Sequence, residues 1–467
     1  MAGTGFASSF FLHRFLERSG PGARVLVLER GELRPHNWQQ MYGEQLTEEA
    51  RASIRNLTPE KPWVFKLAVG GGSNCWWGCA PRLLPEDFAM RSRYGVGADW
   101  PVTYEELEPH YAAAEELMAI AGPADGSPYP RSGPYPQPPH RFSDPDQYFK
   151  RRFPGQFFSQ PAARPTRALP TGRPQCCNSG VCDKCPINSK FTVLNGMPRL
   201  FDDPRVTLLT GATVLSVNTA AGRAAGVRYR HAGAERTASG DLIALGTNAI
   251  FNAHILLRSG LESATLGRGL CEQRSVFVDV DLNGVDNFQG STSITGLGYM
   301  MYSGEHRRTH AAALMETWNV PRLRDERGKW RQRLRLKFMF EDLREPENRI
   351  TFDSGDPDRP RIAFAGRSSY TRRGHDALEG GLRRVLEAIP HDSYDIRPPS
   401  RTESHVLGTT VMGADPGSSV VDGTLVHHTL RNLLLLGGGA FPTTSPANPT
   451  LTISALSLRA ADRLFGH

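Results

Sequence analysis

The sequence predicts an α/β protein with a mixed α+β second part: a doubly wound, nucleotide-binding domain joined to an antiparallel-sheet domain. Three observations carry this. The chain opens on Gly3-Thr4-Gly5-Phe6-Ala7-Ser8, a helical pattern, and then an apolar strand ending in Glu29. The order of buried strand, glycine and helix returns at residues 241–260 and again at 432–464. Residues 272–400 instead carry alternating strand patterns, such as Val276-Phe277-Val278-Asp279-Val280, and no glycine-rich nucleotide signal.

In the opening unit, Phe11, Leu12, Phe15 and Leu16 share one helical face. Gly20-Pro21-Gly22 ends that helix, and Val25-Leu26-Val27-Leu28 follows as a strand. Gly3 and Gly5 let the backbone approach a pyrophosphate, and the helix N-terminus favours the anion. Ser8 fills the small third position, and Glu29 stands where a carboxylate accepts ribose hydroxyls. Only Met1-Ala2 precede Gly3, where such a unit needs a strand, which predicts a start further upstream.

Composition narrows the function. The 467 residues allow two or three domains, and no run of ~20 apolar residues predicts a membrane span. The net charge of +7 comes largely from dispersed arginine, with no basic stripe interleaved with stacking aromatics, which argues against nucleic acid. The start lacks the pattern of a signal peptide.

Along the chain, residues 32–68 are polar and mixed. Gly70-Gly71-Gly72-Ser73 followed by Trp76 suits a backbone lying flat against a planar ring. A helix is predicted over 103–121, with Thr103 and Glu106 forming a capping box. Residues 122–175, dense in Pro and Gly, read as ordered loops or a lid. Strands follow at 206–209 and 212–217, a strand at 226–230 pairs with a later one, and a helix lies near 376–388.

Cys176, Cys177, Cys182 and Cys185 fall within ten residues, and the total of seven cysteines is odd. Four soft thiolates in one loop suit an iron–sulfur cluster or zinc, with disulfides as a further alternative. Adjacent Cys176 and Cys177 are poor disulfide partners for each other.

Together these pieces resemble the glucose–methanol–choline (GMC) family of FAD-dependent oxidoreductases. The motifs are Gly3 to Ser8 with Glu29, Gly70-Gly71-Gly72-Ser73 before Trp76, and Leu245-Gly246-Thr247 leading to Ser259-Gly260. At the C-terminal end they are His405-Val406-Leu407-Gly408-Thr409, Met412-Gly413, Phe441-Pro442-Thr443 and Asn448-Pro449-Thr450-Leu451-Thr452. The resemblance implies a Rossmann-like FAD-binding domain over 1–80, 176–270 and 405–467. It implies a substrate domain over 81–175 and 271–404, with 122–175 as its Pro-rich lid. It places Val214 at the adenine, Gly438 and Gly439 at the end of a buried strand, and Asn448, Pro449 and Thr450 at a helix end facing the flavin. Cys75 stands where the pyranose oxidase branch carries a flavin-linked His, so histidyl attachment is excluded and FAD is expected to be non-covalent.

The implied activity is oxidation of a sugar or related alcohol by hydride transfer to flavin N5. His405 is the expected base, because a neutral imidazole suits proton abstraction near neutral pH. Asn448 would hold the substrate oxygen. The cysteine loop resembles that of the catalytic subunit of bacterial FAD glucose and glucoside dehydrogenases. That implies a three-iron or four-iron cluster on Cys176, Cys177, Cys182 and Cys185, a cytochrome c acceptor and a small export or chaperone subunit. The interval between the last two cysteines is one residue shorter than that subgroup's. The compartment is periplasmic by co-export, or cytoplasmic. The rival readings are an oxygen-using oxidase and an inactive flavin-binding protein.

Overall fold

The computed structural model describes residues 1–466. In chain order the elements that position the site are α1 Phe6–Arg18, β1 Val25–Leu28, α2 His36–Ala52, α3 Tyr104–Met118, α4 Asp144–Arg152 and β2 Phe157–Ser159. Next come β3 Val206–Leu209, β4 Thr213–Ala220, β5 Arg223–His231, β6 Ala234–Ser239, β7 Ile243–Leu245 and α5 Asn248–Arg258. They are followed by β8 Arg274–Leu282, β9 Ile294–Met301, β10 Ala313–Trp318, β11 Arg333–Phe340, α6 Ser369–Asp376, α7 Leu378–Leu386, β12 His391–Ile396, β13 Leu433–Leu435 and α8 Thr450–Phe465.

The nucleotide-type sheet is parallel. β1 pairs with β3, and β7 pairs with β13. The position between β1 and β7 is taken by Met1–Gly3. Ala2 bridges both Leu28 and Leu245. Its N–H donates to Ala244 O at 2.8 Å, and Gly3 N–H donates to Leu28 O at 2.8 Å. This pairing meets the backbone demand of the neighbouring strands in the interior.

The second sheet has six strands in the order β12-β8-β11-β10-β9-β2, all antiparallel. Its outer face packs on α6 and α7 through Tyr370, Leu378, Leu382 and Val385. The fold is thus α/β with an antiparallel second sheet, as the period-two patterns require.

One expectation needs correction. Residues 122–175 are not only loops: α4 and β2 lie within them, and β2 forms the edge of the six-stranded sheet. Three short residues, Phe157 to Ser159, carry too little periodicity to mark a strand. Their pairing partner β9 is remote in sequence. The stretch 32–68 contains α2, whose only buried residues are Gly43, Leu46, Thr47 and Ala50. Its apolar stripe is too thin to show helical spacing.

The capping box at Thr103 is present, and α3 packs on α8, with Tyr111 Oη 2.8 Å from Thr452 Oγ1. The predicted helix near 376–388 is present as α7 Leu378–Leu386, and α6 Ser369–Asp376 precedes it.

Candidate active site

A cavity of about 690 Å³ lies between the two sheets. At one end it is lined by Gly3, Gly5, Glu29, Gly71, Val214 and Thr247. At the other end stand Trp76, His405, Gly438, Asn448, Pro449 and Thr450.

The nucleotide end fits a dinucleotide on this chain's own features. α1 starts at Gly5 with no side-chain cap and no acid in its first turn, so its first N–H groups and dipole are open to an anion. Gly3 has φ +87°, and a Cβ there would stand 2.5 Å from Gly246 O. A side chain at that point would push the two backbones of the cradle apart. Glu29 is buried. Its Oε2 accepts from Thr4 Oγ1 at 2.6 Å, and its Oε1 accepts from Gly31 N–H at 2.8 Å. Burial pushes its carboxyl up, and those two donors pull against the rise.

Four of the expected cofactor residues stand behind the wall instead of on it. Ser8 packs against Gly246, where a Cβ would come 2.1 Å from Ser8 Oγ. Ser73 Oγ donates to Gly70 O at 2.7 Å and accepts from Val193 N–H at 3.0 Å. Gly70 N–H donates to Thr4 Oγ1 at 3.0 Å. Ser73 and Gly70 thus brace Thr4, which braces Glu29. Gly439 lies against Thr410, whose N–H donates to Gly439 O at 2.9 Å. Thr4 escapes sequence reading because it is merely the variable position of a glycine motif.

At the far end His405 and Asn448 line the same space. The His405 ring is held by Gln273, whose Oε1 is 2.9 Å from His405 Nδ1. The orientation of that amide follows from its other contacts. Gln273 Nε2 lies 2.9 Å from Ser445 O and 2.8 Å from Ala447 O. Two carbonyl acceptors can be met only by the NH₂ group, so the oxygen faces the imidazole. Nδ1 therefore carries the hydrogen, and Nε2 carries the lone pair. Burial brings the His405 imidazole down to about 4, so it is neutral over the physiological range. Asn448 is 8 % exposed, and its Oδ1 is buried without a hydrogen-bond partner. A buried amide oxygen without a donor is a vacancy for a ligand hydroxyl.

Sequence reading missed Gln273, Glu316, Lys337 and Glu403. Glu403 accepts from Lys337 Nζ at 2.5 Å and from Ser400 Oγ at 2.5 Å. Burial pushes its carboxyl up, but the ammonium and the hydroxyls outweigh that and hold it below the usual range. Its place two residues before His405 was the one available signal. His427 bridges Val421, and His428 lies in the bend that follows. His427 Nδ1 accepts from Leu430 N–H at 3.1 Å, and His428 Nε2 is 2.7 Å from Ser419 Oγ.

The four clustered cysteines are not drawn together. Cys182 is buried with Sγ 2.9 Å from Ser293 Oγ, and Cys176 Sγ lies 3.6 Å from Thr292 Oγ1. Cys177 is exposed and Cys185 half-buried. Among the described residues no group of three or more Cys, His, Asp or Glu side chains is placed to hold a metal ion. As folded, the loop brings no three of its sulfurs together, so it does not fit a four-thiolate cluster. Cys75 lines the cavity as a free thiol, pushed up by burial.

Comparison with known proteins bears on the fold and the family. The GMC oxidoreductase family model matches residues 345–457. The fructose dehydrogenase large subunit of Gluconobacter japonicus is 25 % identical, over 99 % of this chain and 96 % of that protein. The 6'''-hydroxyparomomycin C oxidase of Streptomyces lividus is 25 % identical, over 96 % of this chain and 88 % of that one. The crystal structure of pyridoxine 4-oxidase from Mesorbium loti superposes with a TM-score of 0.68 at 16 % identity, covering 100 % of this chain and 98 % of that chain. Residues 345–457 thus carry the signature of the GMC oxidoreductases, and the chain over nearly its whole length is similar to FAD-dependent enzymes of that family.

Proposed function

We propose that this protein is an FAD-dependent dehydrogenase that oxidises a CH–OH group of a sugar or related alcohol and passes the electrons to an external acceptor. The observation that carries the reading is the lone pair of His405 Nε2, fixed by Gln273, in the cavity that also holds the nucleotide cradle and the open Asn448 Oδ1.

Bound FAD supplies the hydride acceptor. Gly3, Gly5, Glu29 and the α1 N-terminus hold its nucleotide part. His405 takes the hydroxyl proton at Nε2, and the imidazolium that forms keeps its Nδ1–H on Gln273 Oε1. Asn448 orients the substrate hydroxyl. The substrate part rests on the six-stranded sheet, and the nucleotide part on the parallel one.

Two relatives bear on the outlet for electrons: one is named a dehydrogenase and the other an oxidase. The cysteine loop favours the dehydrogenase. Its Asp183 lines the cavity while Cys177 is exposed, so it borders both cofactor and surface. An iron–sulfur relay on Cys176, Cys177, Cys182 and Cys185, serving a cytochrome c, would be the finer form of this reading, but the loop as folded does not fit the cluster and no electron step is routed through it. The thiolate chemistry supports it, and the loop must draw its sulfurs together to form it. The name of the first relative, a large subunit, supports a small partner subunit here as well.

An anaerobic screen of sugars and polyols for flavin bleaching tests the activity. Bleaching by at least one is expected, and none would leave a flavin-binding protein only. Stoichiometric peroxide in air would favour the oxidase. Iron and acid-labile sulfide on anaerobic purification decide the relay, and zinc or no metal would discard it.

A further inference from the structure

The six-stranded sheet turns an unusual row of side chains toward the cavity. Across three strands, Phe277 on β8 pairs with Lys337 on β11, and Lys337 pairs with Glu316 on β10. Trp318 lies two residues beyond Glu316 and pairs with Ile294 on β9. All of these side chains line the cavity. The period-two alternation of strands puts Glu316 and Trp318 on one face.

Glu316 is only 1 % exposed. Its Oε2 accepts from Trp318 Nε1 at 3.2 Å, and Oε1 receives no donor among the described residues. Lys337 Nζ pairs with Glu403 at 2.5 Å and makes no ion pair with Glu316 among the described residues. Burial pushes the Glu316 carboxyl up, and the Lys337 ammonium opposes the rise. Oε1 is not sealed off from the cavity that Glu316 lines, so a ligand hydroxyl can reach it and donate.

The surroundings specify that ligand. Trp77 packs on Trp318 with ring centres 4.8 Å apart, and Phe277 meets Trp318 edge-on at 5.5 Å. Such a group of rings offers flat apolar surface beside one polar acceptor. It fits a ligand whose one face is C–H and whose rim is hydroxyl. The charges on this face are two carboxylates, Glu316 and Glu403, against the single ammonium of Lys337. A ligand carboxylate would add a third negative charge to two carboxylates that face a single ammonium.

We propose that Glu316, Trp318 and Lys337 form the substrate-recognition subsite, in which Glu316 Oε1 accepts a hydroxyl of an uncharged polyhydroxylated substrate and sugar acids are turned away. This rests on the dehydrogenase reading and names its substrate class. Glu316 and Trp318 are specificity residues, separate from the proton-abstracting end at His405.

The test uses FAD-loaded protein with D-fructose, D-glucitol and D-gluconate as probes. Binding is read from perturbation of the oxidised flavin spectrum and from tryptophan fluorescence, and turnover from anaerobic bleaching. Wild type should bind an uncharged probe at least roughly tenfold more tightly than gluconate. In Glu316→Gln that preference should shrink by about tenfold or more, the scale of a lost hydrogen bond to a charged group. Equal or tighter binding of gluconate by wild type overturns the proposal. So does an unchanged ratio in the variant, or no spectral response to any probe. If the variant fails to fold, the wild-type preference still decides. Uncharged probes that bind with the expected preference but never bleach the flavin would leave the subsite standing and overturn the dehydrogenase reading instead.

Discussion

Gln273 Oε1 accepts from His405 Nδ1 at 2.9 Å, and the same amide ties down the carbonyls of Ser445 and Ala447, immediately before Asn448. One buried side chain therefore sets the tautomer of the candidate base and the approach of its candidate partner. Gln273→Leu should retain FAD and slow flavin reduction by substrate. Gln273→Glu puts a negative charge beside Nδ1–H, which favours the imidazolium and raises the His405 pKa. The base must be neutral to act, so the acid limb of the reductive rate should move to higher pH in Gln273→Glu. Stopped-flow reduction across pH checks this, and an unmoved limb would show that Gln273 only packs.

His405 itself, brought to about 4 by burial, predicts a wild-type reductive rate that is level from near pH 5 upward, falling only as pH drops through that value. An inflection near the ordinary histidine value of ~6.5 would contradict it. His405→Ala should keep FAD and lose something like ~10²–10⁴-fold in reduction rate.

Thr4 links the glycine-rich turn to the acid at the end of β1, donating to Glu29 Oε2 at 2.6 Å while accepting from Gly70 N–H at 3.0 Å. Glu29→Ala should weaken FAD binding by roughly 10–100-fold, the scale of hydrogen bonds to a charged group. Thr4→Val should weaken it less, since Gly31 N–H still holds the carboxylate. Flavin retained after dialysis, titrated by fluorescence, measures both.

Arg307 is fully buried and pairs with Glu86 at 2.9 Å, Asp87 at 2.8 Å and Glu341 at 2.5 Å. Tyr302 Oη adds a donor to Asp87 at 2.7 Å, and Asp87 in turn accepts from Ser445 Oγ at 3.2 Å. Arg307→Met removes the cation and leaves three buried carboxylates facing one another. Breaking a buried pair costs about 3–5 kcal/mol, so Tm should fall by several degrees or more in calorimetry. Because Ser445 precedes Asn448, the variant should lose flavin reduction along with stability.

The sequence by itself determined the elements whose signal is local. The cradle of Gly3, Gly5 and Glu29 was legible because it is one short unit, and the helix at Thr103 because its cap lies within four residues. His405 and Asn448 were legible only through the motifs around them. Tertiary structure decided what depends on distant partners. Gln273 stands 132 residues from His405, and nothing in its neighbours marks it as a clamp. Glu316 and Lys337 became a pair through strand register, which side-chain alternation alone does not assign. The cysteines show the converse. Their spacing promised one centre, but the sulfurs of Cys176 and Cys182 lie against Thr292 and Ser293, more than a hundred residues away. Local spacing restricts which groups can meet, and packing of remote segments selects which of them do.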